Sequence, residues 1–413
     1  MAIETLWSSP TGAASHDDIA GLMAGPTGFL THTLMLDLRR RVMGYRMAWH
    51  ETAARGKADR AWALRSMADY LAEHLNPRRL GWRLGRASLF FDVSADLSLL
   101  ASLRSLPPEN VVLCVGPEDA TPDALPALQF MREHGFGLML CRTPGVPDPG
   151  PLRDLLTHLD VGAGDPDLLE RLALEQETGG LTLRLVVTAP AAEQKTPSQG
   201  EGEDEMQPES MLIVRLMQML QRNEDVRQIE AALKHDAVLT YRLLRYINSP
   251  AIGPGVEIQS LRHAVNMMGY SPLFRWLALL LATSNAASSS PYLTRKAIMR
   301  GRAVELLGKG MLAPGDADNL FVVGMFSLID QLLGVPMEQV LAKVQLAESV
   351  QQAILHRRGV YGPFLALAES GEQDGAKTAR LAEDLFMSPG QVNGALLSAL
   401  LWSQEVGATE SPY

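Results

Sequence analysis

Four side chains that could bind a metal ion or carry redox chemistry lie in the first half of the chain, three of them within or directly after short apolar runs. They are Asp92, Cys114, Cys141 and His158. Carboxylates, thiolates and imidazoles are zinc ligands, and two neighbouring thiols can form a redox pair. If the apolar runs are neighbouring strands, these side chains could converge at the strand ends. The alternative is that the two cysteines are small buried hydrophobes, as free cysteines usually are.

Arginines form a second group with chemical potential. Arg46 lies inside an apolar run, Arg142 follows Cys141 directly, and three consecutive arginines occupy positions 39–41. Guanidinium groups bind phosphate through paired hydrogen bonds, so these residues could hold the phosphates of a ligand. The alternative is a solvated loop of arginines together with one structural arginine at position 46.

The pattern between residues 30 and 190 predicts alternating strands and helices. Helix-like stretches occur at 59–75, 124–134 and 167–177. Apolar runs of strand length, several rich in β-branched or aromatic residues, lie at 33–36, 42–49, 88–93, 111–115, 136–140 and 181–187. Because strands and helices alternate, the sequence predicts right-handed crossovers and a largely parallel sheet.

The clearest boundary is an acidic segment. Residues 192–210 contain six acidic residues and one lysine, which leaves five of the chain's ten net negative charges there. The segment has no aromatic or β-branched aliphatic residue that could join a core, so it predicts a flexible linker over residues 191–209. Residues 1–29, rich in Gly, Ala, Ser and Thr, predict a loosely ordered arm. The expected domains are therefore an α/β domain at 30–190 and a helical domain at 210–413.

After the linker, apolar residues recur at helical spacing and no strand pattern is present. The stripe that begins at Leu261 predicts a helix capped by Ser260. The pairs Ser271-Pro272 and Ser388-Pro389 are typical of helix starts. Further helices are predicted at 211–222, 226–234, 238–247, 320–333 and 337–343. The second half is predicted to be all-α.

A string in this helical half resembles the HDOD domain, a signalling module related to HD phosphohydrolases but lacking their metal ligands. The resemblance is carried, in order, by Asp236, Leu244, Asn248, Ser249 and Gly269. From the residues themselves, the aspartate is expected to cap a helix, the Asn-Ser pair to end it, and the glycine to allow the next helix to stop. A ligand-binding role for these residues is the alternative.

The segment 320–330 lies where an HD phosphohydrolase would place its His-Asp metal pair. This sequence has Ser327 and Leu328 instead. A leucine cannot bind a divalent cation, and a neutral serine is a poor substitute for imidazole. We therefore expect neither a metal nor hydrolysis in the helical half.

The first half is similar to the EAL domain of cyclic di-GMP phosphodiesterases, which a family of bacterial signalling proteins joins to an HDOD domain. The family's Gly-Tyr-Glu-Leu-Leu, whose glutamate binds metal, corresponds to Gly44-Tyr45-Arg46-Met47-Ala48. Asp92 corresponds to a ligand asparagine and Cys114 to a glutamate. An Asp-Asp pair corresponds to Cys141-Arg142, and a lysine corresponds to His158. The resemblance implies a TIM-barrel-like fold with a degenerate metal site.

Two-metal phosphodiester hydrolysis needs several carboxylates to hold both cations. The substitutions remove most of the acidic set, and a guanidinium at position 46 would repel Mg²⁺. Residues 30–190 are also fewer than the roughly 250 of a full eightfold barrel. The sequence thus predicts a truncated, degenerate EAL-like barrel with no catalytic residues, no metal, no cofactor and no enzymatic activity.

These observations together predict a non-catalytic signalling adaptor. Its expected partners are other signalling proteins and a second copy of the chain. A cyclic di-GMP receptor without hydrolysis and an atypical cyclic di-GMP phosphodiesterase are the alternatives. A net charge of −10 and a pI near 5.5 disfavour nucleic-acid binding. The absence of a signal peptide or a membrane-spanning run, and the presence of only two cysteines, favour the cytoplasm and no membrane partner.

Overall fold

The computed structural model divides the chain into two units. One comprises Met1–Ala192 with Ser370–Asn393, and the other comprises Glu193–Glu369 with Gly394–Tyr413. The residues whose structure is described are 28–51, 59–75, 82–93, 103, 105–119, 121–141, 152, 154–162, 174, 183–189, 207–233, 236–248, 258, 260–284 and 291–408. The predicted arm up to residue 27 and the linker from 191 to 206 lie outside them.

Seven strands of the first unit close into a barrel in chain order. They are β1 (Gly28–Leu36), β2 (Val42–Glu51), β3 (Ser88–Val93), β4 (Val111–Val115), β5 (Gly137–Leu140), β6 (His158–Asp160) and β7 (Arg184–Thr188). Strands β2 to β7 are parallel to their neighbours, whereas β1 is antiparallel to both β2 and β7. The largely parallel sheet therefore forms as the sequence predicts, and only β6, three residues long, falls outside the predicted runs.

The barrel encloses a core of alternate residues from its strands. Met35, Phe90, Val112, Met139 and Val186 are buried together in it, with Cys114 as the sixth member. Two helices of this unit, α1 (Asp59–Leu75) and α2 (Leu125–Glu133), contact β2 and β5 respectively. Because β4 is buried along its whole length, its residues read as a continuous apolar run, which is typical of parallel strands covered on both faces.

The first half of β1 obtains its second set of hydrogen bonds from the C-terminal part of the chain. Strand β7 pairs with β1 only at Met35 and Leu36. Before that point, the His32 amide donates to the Gly371 carbonyl at 3.0 Å. The Asn393 side chain accepts from the Leu30 amide at 2.8 Å and donates to the Gly28 carbonyl at 2.9 Å. These contacts satisfy backbone groups that an edge strand would otherwise leave unpaired.

This arrangement alters the expected domain division. Residues 370–393, including a helix that contacts β1 and β2, belong to the barrel unit. Their helical pattern predicts instead that they belong to the helical domain. A local pattern cannot show that these residues cover the edge of β1, which is far away in sequence.

The rest of the chain after the acidic segment is helical, and no strand occurs among its described residues. The helices after α2 are α3 (Pro208–Gln221), α4 (Val226–Leu233), α5 (Ala237–Ile247), α6 (Leu261–Met268), α7 (Tyr270–Ser284), α8 (Pro291–Gly308), α9 (Pro314–Phe326), α10 (Ile329–Leu333), α11 (Met337–Val344), α12 (Glu348–His356), α13 (Gly362–Ser370), α14 (Gly375–Asp384) and α15 (Pro389–Ala408). The division into an α/β first part and a helical second part is confirmed. Within the described ranges, no helix is long and apolar enough to cross a bilayer.

The structure confirms two predicted helix starts, whereas one predicted helix is divided into two. Ser260 Oγ accepts a hydrogen bond from the His263 amide at 3.1 Å and caps α6, and α15 begins at Pro389. The helix predicted over 320–333 is instead two helices, α9 and α10. The backbone of Leu328, at φ −122° and ψ 9°, leaves the helical region between them.

Replacing Asn393 with Ala should loosen the edge of β1. The substitution leaves the Leu30 amide and the Gly28 carbonyl without their partners, at a cost of roughly 1–3 kcal/mol for each unpaired group. Because two groups lose their partners, we expect amide exchange in peptides covering β1, measured by mass spectrometry, to accelerate by at least about 30-fold. Asn319→Ala, which removes one hydrogen bond to the Tyr361 hydroxyl, is the matched control and should leave β1 unchanged. Unaltered exchange in Asn393→Ala would show that the edge is held in another way.

Candidate binding site at the carboxyl end of the barrel

Three potential ligands meet near the carboxyl ends of β3, β4 and β5. Asp92 and Cys114 are register partners on adjacent parallel strands, and Cys114 is paired in turn with Met139. Side chains two residues apart along a strand share a face, so Cys141 points to the same side as Met139. A carboxylate oxygen of Asp92 and the two sulfur atoms lie within 4.8 Å of one another.

Arg46 reaches this cluster from β2. Its Nε donates to Asp92 Oδ2 at 3.1 Å, its Nη2 donates to Asp92 Oδ1, and Nη2 also lies 3.8 Å from Cys141 Sγ. Burial lowers the pKa of Arg46, but the hydrogen bond and negative charge of Asp92 raise it more, so the net shift is upward. The guanidinium is therefore a fixed positive charge at the carboxyl end of the barrel strands, here called the barrel mouth.

The Arg46–Asp92 pair is partly in water. The side chains are 27% and 58% exposed respectively, so solvent screens their attraction and the pair adds little net stability. A two-point pair of this kind does fix the direction of both side chains. Its main consequence is to orient Asp92 beside the two thiols.

The two cysteines have opposite tendencies to ionise. The hydrogen bond from the Cys114 thiol lowers the pKa of Cys141, which the charge of Arg46 lowers further. Burial raises the pKa of Cys114 well above its usual range. Cys114 is thus the proton donor of the pair and Cys141 the more readily formed thiolate, which is the reactive and metal-binding form of the residue.

His158 lies outside the three-ligand cluster. Its ring packs edge-on against Phe90 at 5.6 Å, and its Nδ1 lies 2.8 Å from Thr157 Oγ1. Burial, aided by the charges of Arg184 and Arg132, lowers the pKa of His158 to about 4. The imidazole is therefore neutral at pH 7 and forms part of the barrel wall.

Arg41 and Arg46 have different partners in the structure. Residues 39–41 precede β2, at its amino end, whereas Asp92 and Cys114 lie at the carboxyl ends of strands parallel to β2. Arg41 pairs instead with Asp37, its Nε donating to Oδ2 at 2.7 Å. The structure therefore engages Arg41 with Asp37, whereas Arg46 bonds to Asp92. A phosphate held jointly by these arginines stays a prediction, and Arg142 lies outside the described residues.

The donor set at the barrel mouth does not fit a pair of hard cations. Mg²⁺ demands oxygen ligands in near-octahedral geometry, and the three-ligand cluster offers one carboxylate and two thiols. That carboxylate is also bonded to Arg46. The two-cation arrangement implied by the EAL resemblance is thus not supported by these side chains.

In the helical unit, the described residues of the HDOD string make local structural contacts. Asp236 Oδ1 accepts from the Leu239 amide at 2.9 Å at the start of α5. Asn248 accepts from the Ile258 amide at 2.7 Å and donates to the Leu244 carbonyl at 2.9 Å. Gly269, at φ 81°, allows α6 to end. Leu244 is half-buried in α5, and Ser249 lies outside the described residues.

A buried arginine contacts Ser327, one of the two residues that the sequence analysis compares with the HD metal pair. Arg300 Nη1 donates to Ser327 Oγ at 2.8 Å and to Glu369 Oε1 at 3.1 Å, and only 6% of the Arg300 side chain is exposed. Arg357 also donates to Glu369, and Leu328 is buried. Sequence reasoning missed Arg300, although a lone arginine on the buried face of α8 was a signal available in the pattern.

Comparison with known proteins assigns part of this helical unit. Residues 207–355 match the HDOD domain family. The chain is 27% identical over 201 residues to the cyclic di-GMP phosphodiesterase CdgJ of Vibrio cholerae, covering 48% of this chain and 46% of that protein. It is 26% identical over 157 residues to the uncharacterized protein YuxH of Bacillus subtilis, covering 37% and 38% respectively. The chain thus spans less than half the length of these curated relatives.

The solved structures that are similar to parts of this chain include EAL enzymes and phosphohydrolases. The EAL enzyme Bd1971 in its cAMP-bound form is 11% identical, with a TM-score of 0.30 over 41% of this chain and 57% of that one. A putative phosphohydrolase from Shewanella amazonensis is 14% identical, with a TM-score of 0.37 over 51% and 95% respectively. At scores of this size, the fold assignment rests on the strand order and the helices themselves.

The expectation that the chain is not an enzyme is contradicted. CdgJ, the relative with 27% identity, is named a cyclic di-GMP phosphodiesterase, which points to enzymatic activity. The expectation equated the loss of carboxylates with the loss of all ligands. In the structure, the sulfur atoms of Cys114 and Cys141 lie within 4.8 Å of each other and of a carboxylate oxygen of Asp92, so three potential ligand atoms are present together.

Acidification should destabilise the barrel through His158. A histidine whose pKa is lowered on folding contributes its full stability at pH values above its pKa in the unfolded chain, which is near 6.5. That contribution is lost as the pH falls from there toward the pKa in the folded protein, about 4. Urea unfolding at pH 7 and pH 4.5 should show a loss of up to about 3 kcal/mol from this group. His158→Gln should show a correspondingly smaller loss, whereas His134→Gln, at an exposed position, should behave as the wild type. Equal losses in all three proteins would contradict the assignment.

Proposed function

We propose that the chain acts in cyclic di-GMP signalling, with the barrel binding the dinucleotide at its carboxyl end and the HDOD domain contacting other signalling proteins. The observation that carries the proposal is Arg46 beside Asp92 at the open end of the barrel. Ligands of parallel barrels bind at this end, where the strand termini and the following loops meet. The name of the relative CdgJ supplies the ligand class.

The chemistry of Arg46 suits a phosphodiester. Its contacts with Asp92 and Cys141 engage Nε and Nη2, while Nη1 carries two further donors. An arginine already oriented by a carboxylate loses little side-chain entropy when it binds phosphate. The half-buried position of Arg46 also strengthens its hydrogen bonds to an anion relative to those in bulk water.

The helical unit has a contact role in this proposal. The resemblance to HDOD signalling modules and the family match at residues 207–355 support it. Where related hydrolases place metal ligands, Arg300, Ser327 and Glu369 bond to one another. A second copy of this chain is a candidate partner alongside other signalling proteins.

Hydrolysis of cyclic di-GMP is the second candidate function. It is favoured by the grouping of Asp92, Cys114 and Cys141, since three protein ligands and an open position are typical of a catalytic metal centre. It is also the activity named for the relative CdgJ. Binding and hydrolysis can be separated in one assay, because dinucleotide that is bound but not cleaved can be recovered intact.

Arg46→Ala should weaken cyclic di-GMP binding by about 10- to 150-fold, as expected for the loss of a charge-assisted hydrogen bond worth roughly 1.5–3 kcal/mol. Binding would be measured by titration calorimetry with the full chain. Arg41→Ala is the matched control, since Arg41 also pairs with an aspartate but lies before β2, in the connection from β1. Wild-type affinity in Arg46→Ala, or no binding by the wild type, would contradict the proposal.

Chromatography of the same mixtures tests the second candidate. If the chain hydrolyses cyclic di-GMP, a linear product should accumulate in the presence of a divalent cation and disappear in Asp92→Ala. Asp37→Ala should retain the activity, because Asp37 lies in the turn between β1 and β2. Binding without any product would retain the first candidate and exclude the second.

A further inference from the structure

We propose that Asp92, Cys114 and Cys141 form a binding site for one thiophilic divalent cation of the zinc type. The site goes beyond the nucleotide-binding proposal and does not depend on it, because it is defined by ligand chemistry and can be detected without any nucleotide. Its three donor atoms come from β3, from β4 and from the residue directly after β5.

The separation of the donors is close to that of a metal site. With zinc–sulfur bonds of about 2.3 Å and zinc–oxygen bonds of about 2.1 Å at tetrahedral angles, donor atoms lie about 3.6–3.8 Å apart. The three donors here lie within 4.8 Å of one another without any ion. A contraction of about 1 Å is within the reach of side-chain rotation, with no movement of the strands.

The backbone beneath the donors is well anchored. Asp92 and Cys114 occupy directly paired positions of β3 and β4. The Cys141 amide donates to the Val115 carbonyl at 2.9 Å, which fixes the residue just beyond β5. Cys114 packs in the barrel core with Val112 and Met139. One wall of the site is therefore dry, whereas the exposed Asp92 leaves the opposite side accessible to an ion and to water.

Ligand type selects the metal. Two thiolates and one carboxylate favour zinc over magnesium or calcium, which take oxygen ligands. Three protein ligands leave a fourth, open position of the kind found in catalytic zinc sites. Binding replaces the remaining thiol protons, which pass to solvent, so affinity should rise with pH.

Arg46 completes the charge balance. Two thiolates, one carboxylate and a divalent cation sum to one negative charge, which the guanidinium beside Asp92 and Cys141 neutralises. A neutral assembly is favoured where the ligands are partly buried. Arg46 can hold one oxygen of Asp92 while the other oxygen binds the cation, as residues around metal ligands commonly do.

Cobalt substitution tests this site in the reduced full-length chain. After removal of metals, one equivalent of Co²⁺ should produce a thiolate-to-cobalt absorption band in the near ultraviolet, and one equivalent of Zn²⁺ should abolish it. Cys141→Ser should reduce the band by about half or more, and Asp92→Asn should weaken cobalt affinity at least tenfold. Asp37→Asn is the matched control and should retain the wild-type spectrum, because Asp37 is also paired with an arginine but lies in the turn between β1 and β2.

Two results would overturn the proposal. One is the absence of a thiolate band in the reduced wild type. The other is an unchanged band in both Cys141→Ser and Cys114→Ser, since the chain has only two cysteines. Circular dichroism of each variant distinguishes loss of the site from loss of the fold, and Cys141→Ser is the decisive variant because Cys141 is less buried than Cys114. A disulfide that forms on isolation and leaves no cobalt band after reduction would assign the cysteines to redox chemistry instead.

Discussion

The ion pair between Arg46 and Asp92 is the interaction on which the functional end of this barrel depends. It joins β2 to β3 across the open end and directs a carboxylate toward the thiols of the next two strands. A partly exposed pair of this kind adds little to folding stability. Its importance lies in orientation, because it keeps a cation and an acid side by side where a ligand could reach both.

The same pair bears on the ligand chemistry of a site that has few carboxylates. With Arg46 bonded to Asp92 and two thiols beside it, the donors present are not compatible with a site for two hard cations. With one cysteine on β4 and one directly after β5, the Asp92 carboxylate lies beside two thiols, which are soft metal ligands. With a divalent cation bound, the arginine supplies the one positive charge that two thiolates and a carboxylate still require. In the helical unit, by contrast, the buried Arg300 is engaged by Ser327 and Glu369 in contacts within the protein.

Much of this architecture follows from the sequence. The apolar runs around Phe90 and Val112 predict strands because β-branched and aromatic residues fit a buried sheet, and Ser260 predicts a helix start because its hydroxyl can satisfy a free amide. The convergence of Asp92, Cys114 and Cys141 is one interpretation that the sequence allows, because the carboxyl ends of parallel strands meet at the same end of a barrel. His158 lies outside the group formed by Asp92, Cys114 and Cys141 because its ring packs against Phe90. Asn393 bonds to the edge of β1, more than 300 residues away in sequence. Local sequence patterns encode neither contact.

X-ray absorption at the zinc edge, on the reduced full-length chain loaded with one equivalent of zinc, addresses the central claim most directly. A barrel mouth built from Asp92 and two thiols predicts two sulfur neighbours at about 2.3 Å and oxygen neighbours at about 2.0–2.2 Å. Coordination by oxygen and nitrogen alone would contradict the account, because it would leave both cysteines as ordinary members of the barrel core.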